Sequence, residues 1–211
     1  MGDFIKEKDT ILRIVIKEIN TDIPFSENSH LLPSVSPERQ ERISRVHNNR
    51  IKNVQLFSEI TMISEAARDL CVPEGDIRVK KSDLGKPYIE GFENYHISIS
   101  HCDGMIMFAS DSSPVGVDIE KSRKDYERLS KRFFTSEEYE KIISSEKPEE
   151  EFLLVWTRKE AYLKLIGTGL GGTSLDSFNV YDQSIFEYET NSIVSGLTGI
   201  SYIYSTVTGR H

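Results

Sequence analysis

Gly116-Val117-Asp118-Ile119-Glu120, preceded by Val115, has apolar residues at every second position and therefore predicts a β-strand. Successive side chains of a strand point to opposite faces, so Asp118 and Glu120 share one face while the apolar residues share the other. We expect a buried internal strand. Two carboxylates along one strand repel each other unless a cation lies between them. A solvated strand face is the alternative interpretation.

A second stretch, Trp156-Thr157-Arg158-Lys159-Glu160-Ala161-Tyr162-Leu163-Lys164, lies between Pro148 and Gly167, and these two residues predict the start and the end of a helix. Glu160 and Lys164 are four residues apart and share one helix face. With Asp118 and Glu120 this makes three carboxylates without a cysteine cluster, a donor set that suits Mg²⁺ together with substrate phosphates. Trp156 is expected in the core.

Ser98-Ile99-Ser100-His101 ends a predicted strand just before the tight turn Asp103-Gly104. A lone histidine is more often structural, but at a strand end His101 can donate to a phosphate oxygen, with Ser100 beside it. Four cations are weaker candidates for the same chemistry, since each could equally be a solvated turn or helix residue. They are Arg39, Arg42, Lys81 and Lys86.

Composition excludes several classes of protein. Hydrophobic residues make up 37% and charged residues 28%, which is enough for a folded core. The formal net charge of −8 argues against general nucleic-acid binding. No apolar run approaches the ~18 residues of a membrane span, and the N-terminus lacks a signal-peptide pattern. We therefore expect a cytoplasmic protein that does not bind membranes, with Cys71 and Cys102 as buried reduced thiols.

The hydrophobic periodicity predicts an α+β protein. Strands are predicted at residues 11–16, 77–80, 95–101, 105–109, 115–120, 178–181, 185–188 and 200–207. Helices are predicted from Pro37, over residues 53–70, from Thr135 to about Ser144, and from Pro148 to Gly167. The order of elements predicts an N-terminal α+β half, residues 1–112, and a C-terminal α+β half, residues 113–211.

Two further segments have competing interpretations. Residues 167–174 are glycine-rich, but Thr173 stands where a phosphate loop needs lysine, and the segment follows a helix instead of preceding one. We therefore reject a phosphate loop. Residues 121–132 hold six cations and only two acids. This excess predicts either a solvated helix face or a docking surface for an acidic partner.

The chain resembles the 4′-phosphopantetheinyl transferases, specifically the larger two-half type that activates surfactin synthetase. The pattern GVDIE, followed about forty residues later by WxxKEAxxK, is specific to that family. The matching pieces are SPERQERI (36–43), LGKPYI (84–89), ISISH (97–101), PVGVDIEK (114–121), KRFFTSEEY (131–139), WTRKEAYLKLIGTGL (156–170) and LDSFNV (175–180).

The resemblance implies two similar α+β halves in a pseudo-twofold arrangement, with coenzyme A in the cleft between them. It implies Asp118, Glu120 and Glu160 as Mg²⁺ ligands, and Glu160, Lys164 and His101 as the catalytic residues. Contacts to coenzyme A are implied for Arg39, Arg42, Lys81, Lys86, Ser100, His101 and Lys164. The segments 121–132 and 167–177 resemble the family's docking surface for carrier proteins.

This chain departs from the family pattern at two places. Val54 and Gln55 replace a basic and a hydroxyl residue that often bind the 3′-phosphate, so Lys52 or Arg50 is expected to substitute. The chain also ends at Gly209-Arg210-His211, where the family continues into one more strand, so the second half is expected to lack a strand or to be incomplete.

The implied enzyme is a 4′-phosphopantetheinyl transferase, or holo-[acyl-carrier-protein] synthase. It moves phosphopantetheine from coenzyme A to a serine of an apo acyl or peptidyl carrier protein and releases adenosine 3′,5′-bisphosphate. Glu160 is the best candidate for the base, either directly or through a water on the metal. The alternative is a noncatalytic homologue that binds coenzyme A or a carrier protein. A monomer is expected because one chain holds both halves.

Overall fold

The computed structural model describes residues 12–168, 172–182, 187–194 and 201–208. The first half comprises β1 (Arg13–Glu18), α1 (Phe25–Asn28), α2 (Pro37–Ser44), α3 (Asn49–Leu70), β2 (Val79–Lys81), β3 (Pro87–Ile89), β4 (His96–Cys102) and β5 (Met105–Asp111). The second half comprises β6 (Val115–Lys121), α4 (Tyr126–Phe133), α5 (Ser136–Ser144), α6 (Pro148–Ile166), β7 (Glu187–Val194) and β8 (Ser201–Thr208). The α+β class is confirmed.

Local sequence signals set the ends of the helices. The Ser36 side chain accepts the backbone N–H of Arg39 at the start of α2. Thr135 and Glu138 form the predicted capping box before α5. Gly167 ends α6 in the left-handed conformation, with φ of 76°, and its N–H donates to the Leu163 carbonyl.

The two three-stranded sheets have the same strand order. In the first, β1 pairs antiparallel with β5, and β5 pairs with β4, which gives the order β1-β5-β4. In the second, β6 pairs with β8, and β8 pairs with β7, which gives β6-β8-β7. In each sheet the first strand is separated in sequence from the other two by helices. The last strand of the three lies in the middle of the sheet. The small pair β2-β3 stands apart from both sheets.

A shared core joins the two sheets. Met105, Met107 and Ala109 of β5 pack against the apolar face of β6 and against Tyr202 of β8. A second cluster packs α3 on the other face of the first sheet, around Phe108 and Ala66. Since β5 buries both of its faces in this way, it is the central strand of the molecule.

Gly116 allows α6 to lie directly on β6. A Cβ atom at this position would be 1.9 Å from the Ala161 carbonyl oxygen and 2.6 Å from the Leu165 backbone nitrogen. Only a residue without a side chain permits this approach. The close packing brings the polar faces of β6 and α6 together and so positions the candidate site.

Some sequence expectations are wrong in detail. Strand β6 is buried, as expected, but among the described strands it is an edge strand of its sheet and not an internal one. The edge that does not pair with β8 faces β4, where the Val117 N–H donates to the Ser98 side-chain Oγ. Residues 178–181, predicted as a strand, form a bend and a turn after a short 3₁₀ helix, Leu175–Ser177. The buried Lys159 ammonium donates to the carbonyls of Leu175 and Phe178 in this region.

Other expectations lie partly outside the described residues. These include residues 11, 185, 186 and 200 of the predicted strands and the C-terminal residues 209–211. Cys102 is half-buried, but Cys71 is exposed because it takes the left-handed position that ends α3, so its predicted burial is wrong. Within the described ranges, every helix is too short or too polar to span a bilayer.

Candidate functional site

All ten residues predicted for the site line one cleft of about 560 Å³. The cleft is walled by β4, β6, α2, α3 and α6 and by the turn before β3. Asp118, Glu120, Glu160, Lys164, His101 and Ser100 lie on its floor and sides, and Arg39, Arg42, Lys81 and Lys86 also contribute to its walls. Segments far apart in sequence thus meet at one place.

The centre of the cleft is a triangle of Asp118, Lys164 and Ser100. Asp118 is buried, with 4% of its surface exposed, and its Oδ1 accepts from Lys164 Nζ at 2.7 Å and from Ser100 Oγ at 2.7 Å. Lys164 Nζ also donates to Ser100 Oγ at 2.8 Å. The cation that the paired carboxylates of β6 require is therefore, in this structure, the ammonium group of Lys164.

Strand β4 holds this triangle in register. Ser98 and Ser100 point from alternate positions of β4 toward β6, where Ser98 Oγ accepts the Val117 N–H and Ser100 Oγ donates to Asp118. The hairpin turn at Asp103 and Gly104, with φ values of 42° and 90°, fixes β4 against β5. His101, next after Ser100, is thereby placed at the cleft.

The half-buried Glu120 and Glu160 have raised pKa values. Burial, followed by repulsion from Asp118, raises the pKa of Glu160 to about 7, although Lys164 acts in the opposite direction. Burial and the Asp118 carboxylate also raise the pKa of Glu120, whose Oε2 accepts from Cys102 Sγ at 3.4 Å. The cleft therefore concentrates negative charge that it does not fully compensate.

The donor set fits a hard cation. Asp118 Oδ2 is buried and has no hydrogen-bond partner among the described residues. Three carboxylates and no thiolate ligand are typical of Mg²⁺ sites. In the described part of the chain, however, no three His, Cys, Asp or Glu side chains are gathered closely enough to form a finished metal cluster. Lys164, bound to Asp118 Oδ1, occupies part of that space.

His101 borders the same centre. The residue as a whole is exposed, but protein atoms around its ring desolvate it, and Lys164 repels its charged form, so its pKa lies below the ordinary value. The ring is therefore neutral at neutral pH, with one nitrogen as donor and the other as acceptor.

Two comparisons with known proteins decide the family. Residues 114–200 match the family model described as the 4′-phosphopantetheinyl transferase superfamily. The chain is 33% identical over 166 residues to 4′-phosphopantetheinyl transferase Sfp of Bacillus subtilis (strain 168). These aligned residues cover 77% of this chain and 74% of that protein. The chain belongs to the 4′-phosphopantetheinyl transferase superfamily.

A second relative agrees with this assignment. The 4′-phosphopantetheinyl transferase ffp of Bacillus subtilis is 34% identical over 166 residues, which cover 77% of this chain and 74% of that one. A solved structure, holo-[acyl-carrier-protein] synthase (AcpS) of Thermotoga maritima, has a TM-score of 0.36 and 17% identity, and the match covers 46% of this chain and 64% of that chain. That structural similarity is too low to carry an argument.

In this member of the 4′-phosphopantetheinyl transferase superfamily, Lys86 lies in the wall of the cleft, near the end of α6. Its Nζ donates to the carbonyls of Leu165 at 2.7 Å and Val115 at 3.3 Å. Burial lowers the pKa of Lys86 to about 8. Lys86 therefore ties the turn before β3 to both α6 and β6, a structural contact that the sequence did not indicate.

Cations line another part of the cleft. Arg39 Nε donates at 2.7 Å to Glu59 Oε2, and the other oxygen of this buried carboxylate accepts the Ser36 N–H. Desolvation and then repulsion by Arg42 and Arg39 lower the pKa of Lys81. Lys81 is thus close to two guanidinium groups, and the Glu38 and Glu59 carboxylates offset part of this positive charge.

Sequence reasoning missed several residues of the cleft. Ser58 of α3 lines it, and so does Gln55, which the sequence marked only as replacing a hydroxyl residue of the family; their spacing of three residues on one helix was the available signal. Trp156, predicted as core, packs against Phe134 and Phe152 but also reaches the cleft wall.

Arg50 and Lys52, expected to replace the basic residue missing from α3, have other partners in this structure. Arg50 pairs with Asp22 at 3.1 Å and with Asp103 at 3.4 Å, and Lys52 lies over the ring of Phe25. Neither contributes to the wall of the cleft. Both residues are on the face of α3 that turns toward other loops.

A buried ion pair supports α6 beneath the cleft. Lys159 Nζ is 2.9 Å from Glu138 Oε2, and both side chains are fully buried. Lys159 also donates to the carbonyls of Leu175 and Phe178, each at 2.6 Å, which fixes the chain after α6. In this superfamily member the lysine next to Glu160 is therefore structural.

The two segments expected at a docking surface differ in what can be described. In the basic segment, Lys121 pairs with Asp103, while Arg123 and Arg128 lie 3.4 Å and 3.1 Å from Asp125. Its charge is thus partly compensated. Residues 169–171 of the segment 167–177 lie outside the described residues.

Proposed function

We propose that this protein is a 4′-phosphopantetheinyl transferase that moves the phosphopantetheine arm of coenzyme A onto a serine hydroxyl of an apo carrier protein. The superfamily membership supports the class of reaction. The observation that carries the proposal for this chain is the cleft in which Asp118, Lys164, Ser100 and His101 adjoin two carboxylates with raised pKa values.

The reaction exchanges one phosphorus–oxygen bond for another. The acceptor serine oxygen forms a bond to the phosphorus that carries pantetheine, and the bond from this phosphorus to the bridging diphosphate oxygen breaks. The bond electrons leave with adenosine 3′,5′-bisphosphate. In transfers of this kind the protein mainly positions groups and stabilises charge.

We assign the removal of the serine proton to Glu160. Glu160 is a half-buried carboxylate in the wall of the cleft, and a carboxylate at that place can accept the serine proton and later release it. Glu160 lines the cleft with the triangle of Asp118, Lys164 and Ser100, so a serine directed there comes near both the base and the cations.

We assign charge stabilisation to Lys164 and His101. Lys164 is held by Asp118 and Ser100, so its ammonium is oriented before the substrate arrives. Neutral His101 donates one N–H to a phosphate oxygen. Mg²⁺, when held by Asp118, Glu120 and Glu160, supplies further positive charge to the diphosphate.

We assign the rest of coenzyme A to the remaining walls. Arg39, Arg42 and Lys81 form the cationic part of the cleft, and Lys86 and Ser100 flank the path to the centre. The repeated strand order of the two sheets supports the pseudo-twofold arrangement of halves 1–112 and 113–211, with coenzyme A between them. We further propose a cytoplasmic monomer.

We place the carrier protein next to Glu120, on segments 121–132 and 167–177. The basic segment follows β6 directly, so a partner bound there brings its serine to the carboxylates. Arg123, whose guanidinium lies 5.5 Å from the Trp156 ring, connects this surface to the cleft wall.

The decisive test is mass spectrometry of apo carrier proteins incubated with the protein, coenzyme A and Mg²⁺. We expect a mass gain of one phosphopantetheine. Glu160→Gln should lose ~10²-fold or more in rate, as is typical when a charge-stabilising group is removed. The matched control is Glu150→Gln, an exposed carboxylate earlier on α6. Binding of coenzyme A without transfer to any carrier protein would identify a noncatalytic homologue instead.

A further inference from the structure

Both carboxylates on strand β6 receive a hydrogen bond from a side chain of β4. Ser100 Oγ donates to Asp118 Oδ1 at 2.7 Å. Two residues further along β4, and therefore on the same strand face, Cys102 Sγ donates to Glu120 Oε2 at 3.4 Å. Because β4 and β6 belong to different sheets, these contacts tie the first half of the chain to the carboxylates of the second.

The Cys102 thiol carries a proton that it can donate. Burial, followed by the neighbouring Glu120 carboxylate, raises the pKa of Cys102 to about 12, although the Lys121 backbone N–H acts in the opposite direction. A protonated thiol is a weak donor, and an ionised carboxylate only accepts. The bond from Cys102 therefore favours the ionised form of Glu120, the form that binds a cation, and opposes the burial that raises the pKa of this carboxyl.

The turn after Cys102 holds the sulfur in place. Asp103 forms an ion pair with Lys121, the residue that follows Glu120. The Asp103 carbonyl accepts from Tyr202 Oη at 3.2 Å. Cys102 itself packs against the apolar core that the two sheets share. The thiol is thus fixed relative to β6 by contacts on both sides of it.

A fixed donor matters for Glu120 because the terminal torsion of a glutamate side chain has a broad distribution. A hydrogen bond to one carboxylate oxygen narrows that distribution, and carboxylates that bind metals are held by such partners. We propose that Cys102 is a positioning residue that orients the Glu120 carboxylate toward the cation of the cleft. This inference rests on the proposed function, in which Glu120 is one of three carboxylates that hold Mg²⁺.

The test measures the affinity for a cation directly. Mn²⁺, which prefers the same oxygen ligands as Mg²⁺, is titrated into the protein saturated with coenzyme A, and free Mn²⁺ is measured by electron paramagnetic resonance. We expect Cys102→Ala to weaken Mn²⁺ binding about 10-fold, the lower end of the effect of removing an outer partner of a metal ligand. Cys102→Ser keeps a donor and should stay within about threefold of wild type.

Two controls separate the orientation of Glu120 from general damage to the cleft. The dissociation constant of coenzyme A, measured by calorimetry without a divalent cation, should be unchanged in Cys102→Ala, whereas a distorted cleft would weaken coenzyme A as well. Cys71→Ala removes the exposed cysteine at the end of α3, away from the cleft wall, and should change neither constant. If thermal unfolding shows that Cys102→Ala is not folded, Cys102→Val fills the space of the thiol without a donor and gives the same comparison.

The outcomes distinguish this inference from the proposed function. If wild type transfers phosphopantetheine and both Cys102→Ala and Cys102→Ser bind Mn²⁺ like wild type, the inference alone is overturned. It is also overturned if Cys102→Ser loses as much affinity as Cys102→Ala, because the shape of the thiol and not its donor would then matter. If wild type saturated with coenzyme A binds no Mn²⁺, the inference fails, and the proposed function fails with it where wild type also transfers no phosphopantetheine.

Discussion

Replacing Gly116 by alanine should separate β6 from α6. The new Cβ would be 1.9 Å from the Ala161 carbonyl oxygen, whereas ordinary van der Waals contact begins at 3.4 Å, so the two atoms must move apart by about 1.5 Å. The opposing atoms are helix backbone and cannot rotate away. Overpacking typically costs about 1–3 kcal/mol, so we expect at least about 3 kcal/mol here.

The expected loss is large enough to measure by thermal unfolding. For a chain of 150–250 residues, 1 kcal/mol lowers Tm by about 2–4 °C, so Gly116→Ala should lower it by about 6–12 °C. The matched control is Gly75→Ala, where an added Cβ meets no atom within 4 Å and φ is not positive. Its Tm should change little.

The same variant should lose activity even where it stays folded. Helix α6 carries Glu160 and Lys164, and a displacement of about 1 Å in a catalytic group can cost about 10²-fold in rate. Activity is therefore measured well below the Tm of the variant. If Gly116→Ala and Gly75→Ala have equal Tm values and rates, the close approach of α6 to β6 does not exist in solution.

Three further predictions follow from buried or charged contacts. Lys159→Met should lower the free energy of unfolding, measured in urea, by about 3–5 kcal/mol, because it leaves the buried Glu138 carboxylate unpaired. The control Lys147→Met, at an exposed ion pair, should change it by less than about 1 kcal/mol. Equal effects would contradict the buried pair. The pKa of Lys86 is about 8, so its positive charge is present below that pH and lost above it. The kcat/KM for coenzyme A should therefore fall as the pH rises through about 8 in wild type but not in Lys86→Arg. The same fall in both proteins would exclude a contact between the Lys86 charge and coenzyme A. Replacing Arg123 and Lys124 by glutamate should raise the KM for carrier protein and weaken its dependence on salt, while the KM for coenzyme A stays unchanged. If the KM values for both substrates stay unchanged, segment 121–132 is a solvated surface.

The sequence alone determined most of the local elements and which residues were candidates for the site. Alternation placed Asp118 and Glu120 on one strand face, helical spacing placed Glu160 beside Lys164, and the Thr135 capping box set the start of α5. Such signals suffice because strand and helix periods and caps depend on neighbouring residues along the chain.

Only the tertiary structure decided how these pieces meet. The pairing of β6 with β8 joins Val115 to Thr208 across most of the second half, and no local pattern specifies that partner. For the same reason the sequence suggested an internal strand, whereas β6 ends its sheet. Strand neighbours are selected by which apolar faces bury one another, a property of the whole chain.

Side-chain partners were equally out of reach of the sequence. The sequence proposed Lys86 as a substrate contact, and only the fold shows that its ammonium also donates to the Leu165 and Val115 carbonyls. Likewise, only packing shows that Gln55 Oε1 and Ser58 Oγ are buried without a hydrogen-bond partner among the described residues. A hydrogen-bond partner is set by distance in space, and only the packed fold brings residues that are distant in sequence within that distance.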